Sequence, residues 1–122
     1  MALNQRRGTW RTGGFDPVPD HIGFEEQPLL QSKGGELTIR LLRIGPGGCG
    51  PALPHKHQDE HLFIVLQGRI TIVGSASDRV AEGEWFRVPS FSEHQLIGDS
   101  EGVALVIAIK RSECSRSSQA SG

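Results

Sequence analysis

Apolar and polar residues alternate along much of this chain with a period of two, the period that sends successive side chains to opposite faces of a β-sheet. The stretch "ELTIRLLRI" (36–44) shows it clearly, with a change of parity at Leu41–Leu42 that predicts a bulge. Five further runs rich in Val, Ile, Leu and Phe follow: "HLFIVL", "RITIV", "EWFRV", "HQLI" and "VALVIAI". Between them stand "QG", "GSASD", "PSFS" and "GDSEG", which read as turns, while "GPGGCGPALP" (45–54) reads as a loop too rich in glycine and proline for a helix. No window holds a helical period. About seven short strands with turns between them predict an all-β sandwich or barrel.

The two ends follow other patterns. "FDPVPDHIGFEEQPLL" (15–30) contains three prolines and is expected to be an extended arm that covers a sheet edge or meets a partner subunit. "QRRGTWR" before it reads as a basic surface strand or arm, since no apolar segment follows to make an export signal. "RSECSRSSQASG" holds no large apolar side chain and is expected to be disordered. These patterns divide the chain into an arm with edge strands over 1–35, a barrel over 36–110 and a tail over 111–122.

Length and charge narrow the function. A chain of 122 residues is one domain with one core. Thirteen basic and fourteen acidic side chains give a net charge of -1, which offers no footprint for nucleic acid or an anionic membrane. The longest apolar run, Val103 to Ile109, is too short to span a bilayer. Two cysteines, Cys49 and Cys114, are too few for a disulfide framework, so reduced thiols and a cytoplasmic location are expected. Cys49 is a candidate reactive thiol through its nearness in sequence to His55. His21 lies in the arm and reads as a surface or interface residue. No nucleophile elbow, Walker loop or dinucleotide fingerprint is present.

The chemistry gathers in "HKHQDEHLFIVLQG" (55–68), where three of the five histidines fall within seven positions. His55, His57 and His61 share parity, so one strand would present all three on one side. Neutral imidazoles suit transition metals rather than calcium. A single HxH, taken alone, would favour a polar strand whose histidines face solvent.

The wider spacing resembles the cupin superfamily. Its first motif places HxH a few positions before a Glu, and a hydrophobic strand then runs to a glycine seven residues after that Glu. Here "GPALPHKHQDEHLFIVLQG" starts at Gly50 and ends at Gly68, and "GEWFRVPSFSEHQLIG" matches the second motif with His94 at the ligand position. Four departures stand out. His61 occupies the place of the usual Glu, Phe91 that of a glycine and Gly98 that of the final asparagine, and the gap between Gly50 and His55 is one residue short.

The resemblance implies an antiparallel jelly-roll β-barrel holding one divalent transition metal, Mn, Fe or Zn, on His55, His57, His61 and His94. This is the ligand pattern of small four-histidine cupins. It also implies a homodimer and a small-molecule substrate. Four neutral imidazoles leave the metal one charge more positive than three with a glutamate, which favours anionic ligands. The expected function is oxidative, of dioxygenase or oxidoreductase type, on a small oxygenated organic molecule. A polyketide-cyclase-like cyclase, isomerase or lyase, or a non-catalytic binding role, are the alternatives. No acid/base residue is evident, so the catalytic residues stay unassigned. Phe63, which shares the parity of His61, and Phe91 are expected at the substrate pocket. Glu60, one residue out of register, is expected on the outer face or rim, where it could orient a histidine from behind.

Overall fold

A computed structural model of the chain describes residues 7–11, 13–56, 59–74 and 76–112, with the backbone alone for 52–56. The described residues form nine strands and no helix: β1 (Asp16–Pro17), β2 (Ile22–Gln31), β3 (Leu37–Lys56), β4 (Glu60–Gln67), β5 (Arg69–Val73), β6 (Ser77–Ala81), β7 (Trp85–Val88), β8 (Glu93–Gly98) and β9 (Ala104–Arg111). All pairings are antiparallel, in the order β6-β5-β8-β3-β9-β4-β7, with β2 laid on β3 and β1 on β2. The result is a nearly closed jelly-roll barrel.

The strand β3 joins its two walls. Residues 37–44 lie between β2 and β9, while Cys49, Gly50, His55 and Lys56 pair with β8. The segment 45–54 is part of β3 and not the loop that its glycines and prolines suggest, although its path is irregular: Gly47 takes a left-handed backbone with φ +75°, and the ladder with β8 shifts register between Gly50 and His55. Gly98 shows how close the walls come. A Cβ there would overlap the carbonyl oxygen of Gly45 and press on Ile44 Cγ2. The family's asparagine has no room at this position.

Register explains the parity change in "LTIRLLRI". Both ladders of β3 pass through Leu41 and Leu42 without a break, so the predicted bulge is absent. Cross-strand partners share a face. Thr38 and Arg40 point into the barrel where it is hollow, and Leu42 and Ile44 point into it where it is filled. Leu41 faces outward and is still buried, beside its partner Gln27. The arm covers that outer face. The Gln27 amide donates to the Gly14 carbonyl oxygen at 3.2 Å, and the Arg43 guanidinium stands 4.1 Å from the centre of the Phe15 ring.

The core packs Leu42 and Ile44 of β3 against Val65, Ile70, Ile72, Leu96, Ala104 and Val106, with Phe24 from the arm. Phe86 packs partly against it while Trp85, its neighbour, is 66% exposed. Outside, two rows of apolar residues cross four strands by register: Leu30, Ile39, Ile109, Leu62 and, one step along, Leu41, Ile107, Ile64, Trp85. The short strand β6 falls partly within a stretch that reads as a turn. Its SDRVA has only Val80 buried and so lacks an alternating signal. The tail beyond Ser112, with Cys114, lies outside the described residues.

Gly98→Ala should lower stability by about 1–3 kcal/mol, since the methyl group must push two backbones apart. Urea unfolding measures this, and an unchanged midpoint would show that β8 and β3 are not in close contact there.

Candidate functional site

Adjacent strands build one end of the barrel row by row. Thr38, Lys110 and His61 are successive register partners across β3, β9 and β4, and the next row is Arg40, Ala108 and Phe63. Ala108 is small, which leaves space over the row between Arg40 and Phe63. From the opposite wall β8 adds His94 and Leu96, and the arm adds Pro19, Asp20 and His21. Together they enclose a cavity of about 340 Å³. A hollow of this size suits a small organic molecule.

Its floor is a histidine pair. His61 and His94 are 7% and 5% exposed, with ring centres 5.2 Å apart and planes at 60°. Phe63 stacks parallel to His61 at 5.4 Å. The alternation of β4 buries His61, Phe63 and Val65 on the inner side and fails at Gln67, where a register shift leaves that residue exposed. His94 Nδ1 lies 3.5 Å from the Ser92 carbonyl oxygen, so a proton there leaves Nε2 as the lone-pair nitrogen. His55 is the register partner of His94. His57 lies outside the described residues, as does the side chain of His55. Among the described residues no three potential ligands form a metal cluster.

The donor chemistry of the pair fits a metal. Two imidazoles sharing one ion through nitrogens about 2.1 Å from it have ring centres roughly 4.5–5.5 Å apart. The observed spacing falls in that range.

Glu60 turns away from the cavity. Its carboxylate accepts from Arg87 Nη1 at 2.6 Å and from Arg111, its register partner on β9. The hydrogen bond from Arg87, then that from Arg111, hold its carboxyl below the ordinary glutamate range. In the described structure Glu60 braces three strands by ion pairs; His57 and the side chain of His55, two of the histidines it could orient from behind, lie outside the described residues. Phe91 departs from expectation. Its backbone keeps the left-handed conformation of the family's glycine, with φ +63°, and its ring is 61% exposed and does not border the cavity. Cys49 is a half-buried free thiol that does not line the cavity either.

The polar wall is what the sequence left unread. Arg40 is held by Glu26 at 2.5 Å, and Lys110 lies 3.9 Å from the Asp59 carboxylate. Thr38 and Arg40 alternate with outward apolar residues, so the signal was present, but the parity change obscured which face was inner. Lys110 has no local signal, since only β9 pairing places it beside His61. His21, read as a surface residue, lines the cavity.

Comparison with known proteins agrees with this architecture. The family model described as a cupin domain matches residues 40–110, more than half of the chain. The cupin domain of Cnp3 from Schizosaccharomyces pombe superposes with a TM-score of 0.79 at 10% identity, covering 95% of this chain and 80% of that one. The polyketide cyclase RemF from Streptomyces resistomycificus gives 0.73 at 17% identity, covering 88% and 79%. A sugar phosphate isomerase of the cupin superfamily from Silicibacter pomeroyi gives 0.62 at 20% identity, covering 73% and 59%. At these identities the likeness is one of fold. No curated protein matches the chain significantly in sequence.

His61→Ala should cut metal affinity heavily, while Glu60→Gln should leave it near the native value. Metal titrations decide between them, and an empty site in Glu60→Gln with a loaded one in His61→Ala would reverse the assignment. The lowered carboxyl of Glu60 also has a signature in acid. Its ion pairs contribute above the unfolded-state value of about 4.3 and are lost as pH falls through the lower folded value. The stability difference between the native chain and Glu60→Gln should therefore shrink below about pH 4, as read by thermal melts across pH.

Proposed function

This chain belongs to the cupin superfamily, and from that premise we propose that it is a metal-dependent enzyme acting on a small oxygenated organic molecule, most readily by oxidation. One observation carries the reading. Two buried imidazoles from opposite walls meet at the floor of a cavity large enough for such a molecule. His61 and His94 would hold the ion, with His55 and His57 completing the set that the motif implies. When bound, a divalent transition metal supplies Lewis acidity and, if redox-active, electron transfer.

The rest of the work falls to the chain. Glu26 fixes the Arg40 guanidinium, whose remaining N–H groups can donate to substrate oxygens. Lys110, 3.9 Å from the Asp59 carboxylate, offers a point charge in the same row as His61. Phe63 gives a flat apolar face and shields the histidines from water. The lining also favours a second reading, a cyclase or isomerase. Asp59, Lys110 and His21 can all carry protons, and the fold is shared by a polyketide cyclase and a sugar phosphate isomerase.

Protein purified without a histidine tag should contain a transition metal and take up oxygen with one or more phenols, diketones or enols. Zinc without oxygen uptake would favour the cyclase reading. Removing metal with EDTA should lower the melting temperature, because an ion at about 100 times its dissociation constant adds roughly 2.7 kcal/mol. No change after verified removal would refute a tight site.

A homodimer belongs to the same proposal. Beyond buried Leu41, which the arm covers, the two outward apolar rows give a second copy a face to cover, and Trp85 and Leu30 are 66% and 47% exposed within them. Light scattering should give twice the 13.3 kDa chain mass, and a single-chain mass would overturn the dimer.

A further inference from the structure

The arm brings to the cavity a histidine that lies outside the residues matched by the cupin domain. Four features fix its ring. Nδ1 of His21 lies 2.8 Å from the Pro19 carbonyl oxygen, and a carbonyl only accepts, so Nδ1 carries the proton. The ring packs on Phe24, a buried core residue, with centres 4.8 Å apart. Its Cγ–Cδ2 edge lies over Gly50, where any Cβ would overlap it. Asp20, between Pro19 and His21, takes a left-handed backbone with φ +64°, which closes the short turn that lets residue 21 reach back to residue 19. That conformation carries a cost for any residue except glycine, though aspartate tolerates it better than most.

A ring set so firmly has one edge left. Nδ1 is taken by Pro19 and the Cδ2 side by Gly50, so Nε2, with its lone pair, is the functional atom remaining to a side chain that lines the cavity. We propose that His21 is a catalytic proton acceptor of this cavity, touching the substrate through Nε2. The proposal rests on the reading that the cavity binds a small oxygenated substrate. In the step it supports, the proton of a substrate hydroxyl moves to Nε2 and the electron pair of the O–H bond stays on oxygen. The imidazolium returns the proton when the product forms. Gly50 then has a role of its own in this chain, as the space in which the ring is held.

The test uses the full chain and catechol, an oxygen-rich phenol, as probe. Nitrogen-15 NMR of the side chains should show His21 with Nδ1 protonated and Nε2 bare, and an Nε2-protonated tautomer would overturn the proposal. His21→Asn keeps a donor near Nδ1 and removes Nε2, while His21→Gln places an amide near Nε2. Catechol affinity should fall at least tenfold in His21→Asn and less in His21→Gln, with melting temperature and metal content unchanged in both. Equal affinity in the native chain and His21→Asn, including none in either, would overturn it. Should the asparagine variant unfold, Gly50→Ala displaces the same ring without altering it and is expected to weaken catechol equally; native affinity there would also overturn the proposal. A native chain without metal refutes the metal reading alone, because the tautomer and the catechol titration are read on the chain as purified.

Discussion

Everything in this barrel depends on one strand belonging to two walls. β3 gives its first half to β2 and β9 and its second half to β8, and where it crosses between them Gly98 of β8 lies too close to the Gly45 carbonyl oxygen to carry a side chain. Because both walls pair with this one strand, each takes its register from β3, with a shift in the β8 ladder between Gly50 and His55. The histidine pair follows from this. His61 reaches the floor through β9 and β4, His94 through β8, and β3 is the shared reference for both. A slip of one residue on either side would send one ring outward.

Strands β4, β5, β7, β8 and β9 were legible in the sequence because each has a short apolar or alternating run between turn signals. β3 was half legible. Its parity change reads as a bulge when a strand is assumed to have one dry face and one wet face throughout. Here the inner face is polar at Thr38 and Arg40 and apolar at Leu42 and Ile44, while the outer face is apolar at Leu41. The pattern marks the border between hollow and filled barrel. Glycine misled in the opposite direction over 45–50, since a composition that forbids a helix does not forbid an extended strand.

Of the site, the cavity-facing positions of His61, Phe63 and His94 could be read from motif spacing and period. Lys110 could not, because its place depends on which strand lies beside β4. His21 could not either, since its position comes from a turn at Pro19–Asp20 and a missing side chain at Gly50, twenty-nine residues away in sequence. Glu60 and His61, adjacent in sequence, meet opposite fates: one joins arginines outside, the other is buried in the barrel.

The cavity thus has two parts of different origin. Its floor lies on paired strands, where an insertion or deletion disturbs every neighbour in the ladder. Its arm-side wall, Pro19 to His21, hangs on a short turn closed by the Val18 amide on the Phe24 carbonyl oxygen and by the ring of His21 on Pro19. Such a turn can change length or residue type while the barrel stays intact. Descendants of this chain could therefore exchange one substrate for another by editing a few positions of the arm, and keep the histidine floor as an inherited constant.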